Sequence, residues 1–212
     1  MERLRPEAVL VHAYNAQEPK RGLKQPVRPN LRGRLQIAAA KQLQKHGVEN
    51  FVFTGGKLAG GQFPPIARVN ATEFIRRSNL SEENVFVCPA GYDTSTEIDH
   101  FLKLAKAQNW IELGDLANQT HISRIGKIYQ KRRRGVESLS TEKVLTTFPS
   151  FRNAQRYQRV IDKLHCSEEE RRFRIQERFL NLIQLFPGGE TLLRILASRL
   201  KRIERWLIEP SA

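Results

Sequence analysis

Most of the chain alternates short apolar runs with stretches of helical periodicity. The runs have the length and composition of buried strands, and they occupy residues 8–14, 50–54, 85–88, 110–116 and 137–140. Between them, apolar positions such as Leu35, Ala38 and Ala39 recur three or four residues apart. The alternation predicts an α/β protein with a Rossmann-like, three-layer parallel sheet and helices on both faces.

Local signals mark the ends of the predicted helices, which cover residues 32–46, 67–75, 94–105 and 121–130. Gly47 stands where a C-terminal cap is expected. Thr94 opens a helix whose first residues, 94–97, fit a capping box. The segment 15–31 is rich in Pro, Gly and Lys and is predicted to be a loop. Whether this loop closes over a site as a lid stays open.

Beyond residue 149, three helical patterns follow one another without an apolar run between them. The sequence therefore predicts an α/β domain at 1–149 and a C-terminal helical extension at 150–212 that packs on it. The second pattern predicts a buried apolar face, made of Ile175, Phe179, Leu182, Ile183 and Phe186. Such a face has to be covered by the α/β domain or by a partner, and the oligomeric state stays open.

Charge adds a preference for anionic partners, because the 212 residues carry a formal net charge of +14. The densest basic run is at 131–134. No apolar run has the length of a signal-peptide core or a membrane span, so we expect a cytoplasmic protein. Cys88 and Cys166 lie far apart and outside any CxxC motif, which predicts neither a disulfide nor a zinc site.

The C-terminal ends of parallel strands are where open α/β sheets bind ligands, because loops and helix N-termini meet there. This rule predicts a small-ligand pocket whose polar residues are His12, Asn15, Thr54, Gly55, Gly56, Asp93, Thr94, Glu97, Asn118, His121 and Arg124. Gly55 and Gly56 can hold an anion with their amides, or they can simply permit a tight turn. Thr94 and Glu97 can serve the pocket, or they can only cap their helix.

Four motifs in this region resemble those of the YdcF-like family, which includes SanA and ElyC. They are an Arg-containing helix ending at Gly, a Thr-Gly-Gly turn, an Asp-Thr-x-x-Glu turn and a His-x-x-Arg helix start, matched here by Arg34 with Gly47, 54–56, 93–97 and 121–124. Where relatives carry Ser-Glu-Ala, residues 69–71 place Asn70 at the position of the carboxylate. The resemblance implies a Rossmann-like fold with a polar pocket, and it leaves the activity undefined.

Our leading hypothesis is a protein that binds, or acts on, a phosphorylated or nucleotide-like small molecule. Thr54 and the glycine amides would hold its anionic group, and Arg34 and Arg124 would neutralise it. His121 or Glu97 would transfer a proton. The remaining ligand-binding candidates are Gly55, Gly56, Asp93, Thr94 and Asn118. Nucleotide-like and S-adenosyl compounds are the candidate cofactors, and no metal is expected.

Two other classes of function stay open. The basic surface can bind nucleic acid or another anionic surface, with an affinity that falls steeply with salt. The C-terminal helices can instead serve helix-mediated interaction with a partner. The sequence does not decide between a transferase, a hydrolase and a protein that only binds.

Overall fold

A computed structural model describes residues 6–12, 16–17, 27–56, 64–89 and 93–183, with six positions between 186 and 195. Within these residues the strands are β1 (Ala8–His12), β2 (Ala16–Gln17), β3 (Arg28–Pro29), β4 (Asn50–Thr54), β5 (Val85–Cys88), β6 (Leu113–Ala117) and β7 (Glu137–Ser140). The helices are α1 (Leu31–Lys45), α2 (Ile66–Arg77), α3 (Thr94–Ala107), α4 (Gln119–Lys131), α5 (Thr141–Thr147), α6 (Phe151–His165) and α7 (Glu168–Ile183).

The main sheet has the strand order β5-β4-β1-β6-β7, and every neighbouring pair is parallel. The chain moves outwards from β1 through β4 to β5, and then returns to build β6 and β7 on the other side of β1. The order therefore reverses between β1 and β6, which creates the crevice that doubly wound sheets use for ligands. The predicted α/β fold class is confirmed.

Two apolar cores lie on opposite faces of this sheet. Val9 and Val11 of β1 belong to a core with residues of α1, α2, α5 and α6. Ala8 and Leu10 belong to a second core with residues of α3 and α4. The alternation along β1 follows from the two-residue repeat of a strand, and it places the next side chain, His12, on the α3 and α4 side.

Several elements differ from the sequence prediction at their ends. β6 is displaced to Leu113–Ala117, while β1 is described as far as His12 and the last two residues predicted for it lie outside the described part of the chain. The segment predicted as a loop contains two short strands, since Ala16–Gln17 pairs antiparallel with Arg28–Pro29. Residues 15 and 18–26 of this segment, and with them the question of a lid, lie outside the described part of the chain. The short helix α5 was not predicted at all.

The start of α3 corrects the predicted capping box. Asp93, not Thr94, is the N-cap, and its Oδ1 accepts a hydrogen bond from the Thr96 amide at 2.8 Å. Asp93 Oδ2 also accepts one from the Thr96 hydroxyl. The cap is one residue earlier than the capping-box pattern indicated, which leaves the side chain of Glu97 available for another contact.

The C-terminal helices depart most from expectation. Ile161 and Leu164 of α6 join the first core, but the predicted buried face of α7 is exposed, with 57–65% exposure at Ile175, Phe179, Leu182 and Phe186. The opposite face is inserted instead, and it buries the carboxylates of Glu170 and Glu177.

In α7, charge pairing with buried arginines has overridden the apolar pattern. Whether a partner covers the exposed stripe stays a prediction. The third helical pattern lies almost entirely outside the described residues. No helix in the described part of the chain is both long and apolar enough to pass through a lipid bilayer.

Candidate functional site

His12, the last residue of β1, lies between two carboxylates at the strand reversal. Its Nδ1 is 2.8 Å from Glu97 Oε2 of α3, and its Nε2 is 3.0 Å from Asp115 Oδ2 of β6. The Tyr129 hydroxyl of α4 donates to the same Asp115 oxygen at 2.8 Å. Four elements thus bring one cation and two acids together in a buried position.

Burial alone would lower the pKa of His12, but the charges and hydrogen bonds of Asp115 and Glu97 outweigh it and raise the pKa to about 10. His12 is therefore an imidazolium at neutral pH and donates from both nitrogens. Burial, with the charge of Asp115, raises the pKa of Tyr129 well above its usual value. His12 therefore keeps its positive charge between pH 5 and 8.

His121, in the first turn of α4, behaves in the opposite way. Burial and the nearby Arg124 lower its pKa, so the ring is neutral and carries one proton. Its Nδ1 is 3.2 Å from Glu177 Oε1 of α7, and its Nε2 is 3.1 Å from the Thr94 hydroxyl. Because a carboxylate only accepts, we assign the proton to Nδ1, which leaves Nε2 as an acceptor for Thr94. The ring lies 5.6 Å from that of His12, centroid to centroid.

Two buried arginines bind two buried carboxylates of α7. Arg124 donates from Nε and Nη2 to the two oxygens of Glu177, at 2.9 and 3.0 Å. Arg32, in the first turn of α1, donates to Glu170 Oε2 at 3.1 and 2.9 Å, and Thr120 donates to Glu170 Oε1 at 3.0 Å. Together with the His121 contact, the hydrogen bonds from Arg124 lower the pKa of Glu177 to about 2, although its burial acts the other way.

Phe173 of α7 lies between these two ion pairs. The Arg32 guanidinium carbon is 4.2 Å from the centre of its ring, a cation–π distance. The same ring is nearly parallel to that of His121, with an angle of 9° and 6.3 Å between centroids. The inward face of α7 thus presents an acid, a flat ring and an acid, at helical spacing of three and four residues.

Buried polar groups without a partner lie at the same edge of the sheet. Thr54 ends β4 next to His12 in the strand register, and its hydroxyl has no hydrogen-bond partner among the described residues. Asn70, in the second turn of α2, likewise has no partner in the described part of the chain for either polar atom of its amide. A Cβ placed on Gly33 of α1 would lie 3.5 Å from the Asn70 Oδ1, so this amide faces the start of α1.

The Gly55-Gly56 turn has a structural role of its own. Gly55 has a φ of 136°, which strongly favours glycine. The two carbonyl groups accept hydrogen bonds from the first amides of α2, from Ile66 to Gly56 and from Ala67 to Gly55. The turn therefore joins β4 to α2 through its carbonyl groups, and an anion cradle made by its amides stays a prediction.

The structure brings together most of the residues predicted for the site. Thr94 and His121 are in contact, Arg124 adjoins His121, and Glu97 binds His12. The carboxylate of Asp93 caps α3. Asn118 is the buried N-cap residue of α4 and makes no side-chain cap. Arg34 lies on the exposed face of α1, whereas Arg32, two residues earlier, is buried in the site. Asn15 lies outside the described residues.

Several residues of the cluster were missed by sequence reasoning. Asp115 carried a readable signal, since a carboxylate inside a buried strand needs a partner. Glu170 and Glu177 carried a weaker one, because they lie seven residues apart and so share one helix face. Nothing in the sequence distinguished Arg32 from Arg34.

Beside the cluster, the structure has a surface cleft of about 430 Å³ between α4, α6 and α7. Glu170 and Glu177 form part of its wall, with Thr120, Ser123 and Arg174 among the other lining residues. No group of three or more His, Cys, Asp or Glu side chains in the described ranges is arranged to hold a metal ion.

Comparisons of the chain with protein-family models, with curated proteins and with solved structures found no match.

Proposed function

We propose that this chain is a YdcF-like protein that binds a phosphorylated or nucleotide-like small molecule in a pocket at the C-terminal ends of the strands. The observation that carries the proposal is the pair of buried, unpartnered side chains, Thr54 and Asn70, at the edge that also holds the His12 and His121 clusters. An unpaired buried polar group costs about 1–3 kcal/mol, which a ligand that supplies the missing hydrogen bonds would repay.

The ionised groups support an anionic ligand with polar substituents. Arg32 and Arg124 supply guanidinium groups of the kind that bind phosphate oxygens, although in the structure both are paired with carboxylates of α7. The Thr54 hydroxyl and the Asn70 amide can each both donate and accept, as sugar hydroxyls or ring nitrogens require. His121 is neutral, so its Nε2 can take up a proton from a bound molecule, whereas Glu97 is paired with the His12 imidazolium. Binding alone, a transferase reaction and a hydrolase reaction would all use these groups.

The experiment is a thermal-shift screen of the full chain against nucleotides, nucleotide sugars, S-adenosyl compounds and phosphorylated metabolites. A ligand that binds only the folded state raises Tm. The test variant is Thr54→Val, which keeps the shape of the side chain and removes only an unpartnered hydroxyl. The matched control is Thr72→Val on the exposed face of α2.

We expect at least one compound to raise Tm of the wild type and of Thr72→Val. Thr54→Val should remain folded, with Tm unchanged or higher, and should lose the response to that compound. A screen in which no compound raises Tm contradicts the proposal. So does a Thr54→Val variant that responds as the wild type does, because the ligand would then bind elsewhere.

A further inference from the structure

The inward face of α7 is unusual for a helix packed on a domain. Its two deepest side chains are Glu170 and Glu177, with exposures of 2% and 3%, while Ile175 and Phe179 are 60% and 62% exposed. A helix held by the hydrophobic effect buries the opposite set. Apolar burial therefore contributes little to the docking of α7, which depends on charge pairs that other anions can replace.

The partners of α7 belong to the two sides of the strand reversal. Arg32 is in α1, which packs on one face of the sheet, and Arg124 is in α4, on the other face. Glu170 binds the first and Glu177 the second. The helix thus lies across the crevice in which doubly wound sheets hold ligands.

Charge in the site depends on whether α7 is present. With α7 docked, three cations (His12, Arg32 and Arg124) are bound to four carboxyl groups, those of Glu97, Asp115, Glu170 and Glu177. An anionic molecule gains little from such a surface. Without the two carboxylates of α7, the cations outnumber the remaining acids, and the crevice becomes attractive to an anion.

From these contacts we infer that Glu170, Phe173 and Glu177 occupy three subsites of a ligand that carries anionic groups and a flat ring. Arg32 and Arg124 are the anion subsites, and the space between Arg32 and His121 is the ring subsite. A seven-residue helical separation sets the two anion subsites on the order of 10 Å apart. A nucleoside phosphate has a flat ring and an anionic chain, and so can fill the ring subsite and one of the two anion subsites. The inference rests on the proposed function, and it adds that α7 must leave the crevice for the ligand to enter.

The test compares the affinity of pyrophosphate and ADP for the wild type and for the double variant Glu170→Gln/Glu177→Gln, by titration calorimetry. Glutamine keeps the size of each side chain and removes its charge. The matched control is Glu82→Gln/Glu83→Gln, which makes the same change in net charge at two exposed residues before β5. Amide hydrogen exchange of residues 168–183 in the wild type, with and without ADP, supplies a readout that needs no variant.

We expect the Glu170→Gln/Glu177→Gln variant to bind ADP about tenfold or more tightly than the wild type and the control. ADP should also speed amide exchange in α7 of the wild type. Equal affinities in all three proteins, with exchange in α7 unchanged or slowed by ADP, would overturn the inference and leave the proposed function standing.

Two further outcomes separate the two ideas. If Thr54→Val abolishes the binding of ADP but the α7 variant does not change it, only the inference fails. If the α7 variant binds ADP more tightly and Thr54→Val has no effect, the subsites at Arg32 and Arg124 stand and the site at Thr54 fails. Absence of pyrophosphate and ADP binding by every protein, with α7 exchange unaffected, refutes the inference, and the thermal-shift screen then decides the proposed function.

Discussion

Replacement of Asn70 by leucine should stabilise the protein and remove its ligand response. Asn70 is 1% exposed, and neither polar atom of its amide has a hydrogen-bond partner within the described ranges. Each unpaired buried polar group costs about 1–3 kcal/mol. Leucine has the same branching and the same number of heavy atoms, but its methyl groups are bulkier, which offsets part of the gain. We expect a net increase of about 1–2 kcal/mol in the free energy of unfolding.

Thermal and urea denaturation measure this change, and a chain of this length should show a rise in Tm of about 2–4 °C per kcal/mol. Gln36→Met is the control, because Gln36 is equally buried but its Nε2 donates to the Leu116 carbonyl at 3.1 Å. That variant should gain less than Asn70→Leu, since it removes one unpaired atom, Gln36 Oε1, but also removes the donor of the Leu116 carbonyl. A lower Tm for Asn70→Leu would show that the amide is hydrogen-bonded in solution, and the argument for a ligand-binding side chain there would fail.

Charge gives three further predictions. Arg32→Met should lower the free energy of unfolding by about 3–5 kcal/mol, because it leaves Glu170 buried and unpaired. Arg34→Met, on the exposed face of α1, should change that free energy by less than about 0.5 kcal/mol. Similar urea denaturation midpoints for the two variants would contradict this prediction.

The pKa of Glu177 is lowered from 4.5 to about 2, so its contribution to stability is complete above pH 4.5 and is lost as pH falls towards 2. Glu177→Gln should therefore weaken the dependence of stability on pH in that range. An acid titration followed by circular dichroism measures this change. The pKa of His12 is raised from 6.5 to about 10, so its contribution to stability is complete below pH 6.5 and is lost as pH rises through 10. An NMR titration midpoint for His12 near 6.5 would contradict its pairing with Asp115 and Glu97.

The strands and the edge that carries the site could be predicted from the sequence, because both depend on local signals. A short apolar run such as 85–88 forms a buried strand of the parallel sheet in an α/β protein. Polar residues that follow such runs, among them His12 and Thr54, then meet at one edge, whatever the details of packing. The contact of Thr94 with His121 is a consequence of that rule.

The rotation of each helix about its axis could not be predicted, because it depends on tertiary partners. Arg32 and Arg34 are separated by about 200° around α1, and only the position of Glu170, 138 residues later, decides which one is buried. The same long-range pairs set the orientation of α7. The apolar periodicity of α7 predicted that its apolar side would be buried, which holds where hydrophobic burial dominates. In the structure two arginine–carboxylate pairs bury the opposite side instead.

The orientation of α7 also explains why the basic character of the chain does not mark its site. The run at 131–134 is the densest basic segment of the sequence, yet Arg132 within it is bound to Asp99 at 2.6 Å. Arg32 and Arg124 are isolated in the sequence and become a pair only because β1 and β6 are neighbours in the sheet. A solvated run of arginines needs no partner, whereas a buried guanidinium must have one. A buried guanidinium bound to a helix that exposes its own apolar residues is therefore the stronger indication of an anion site.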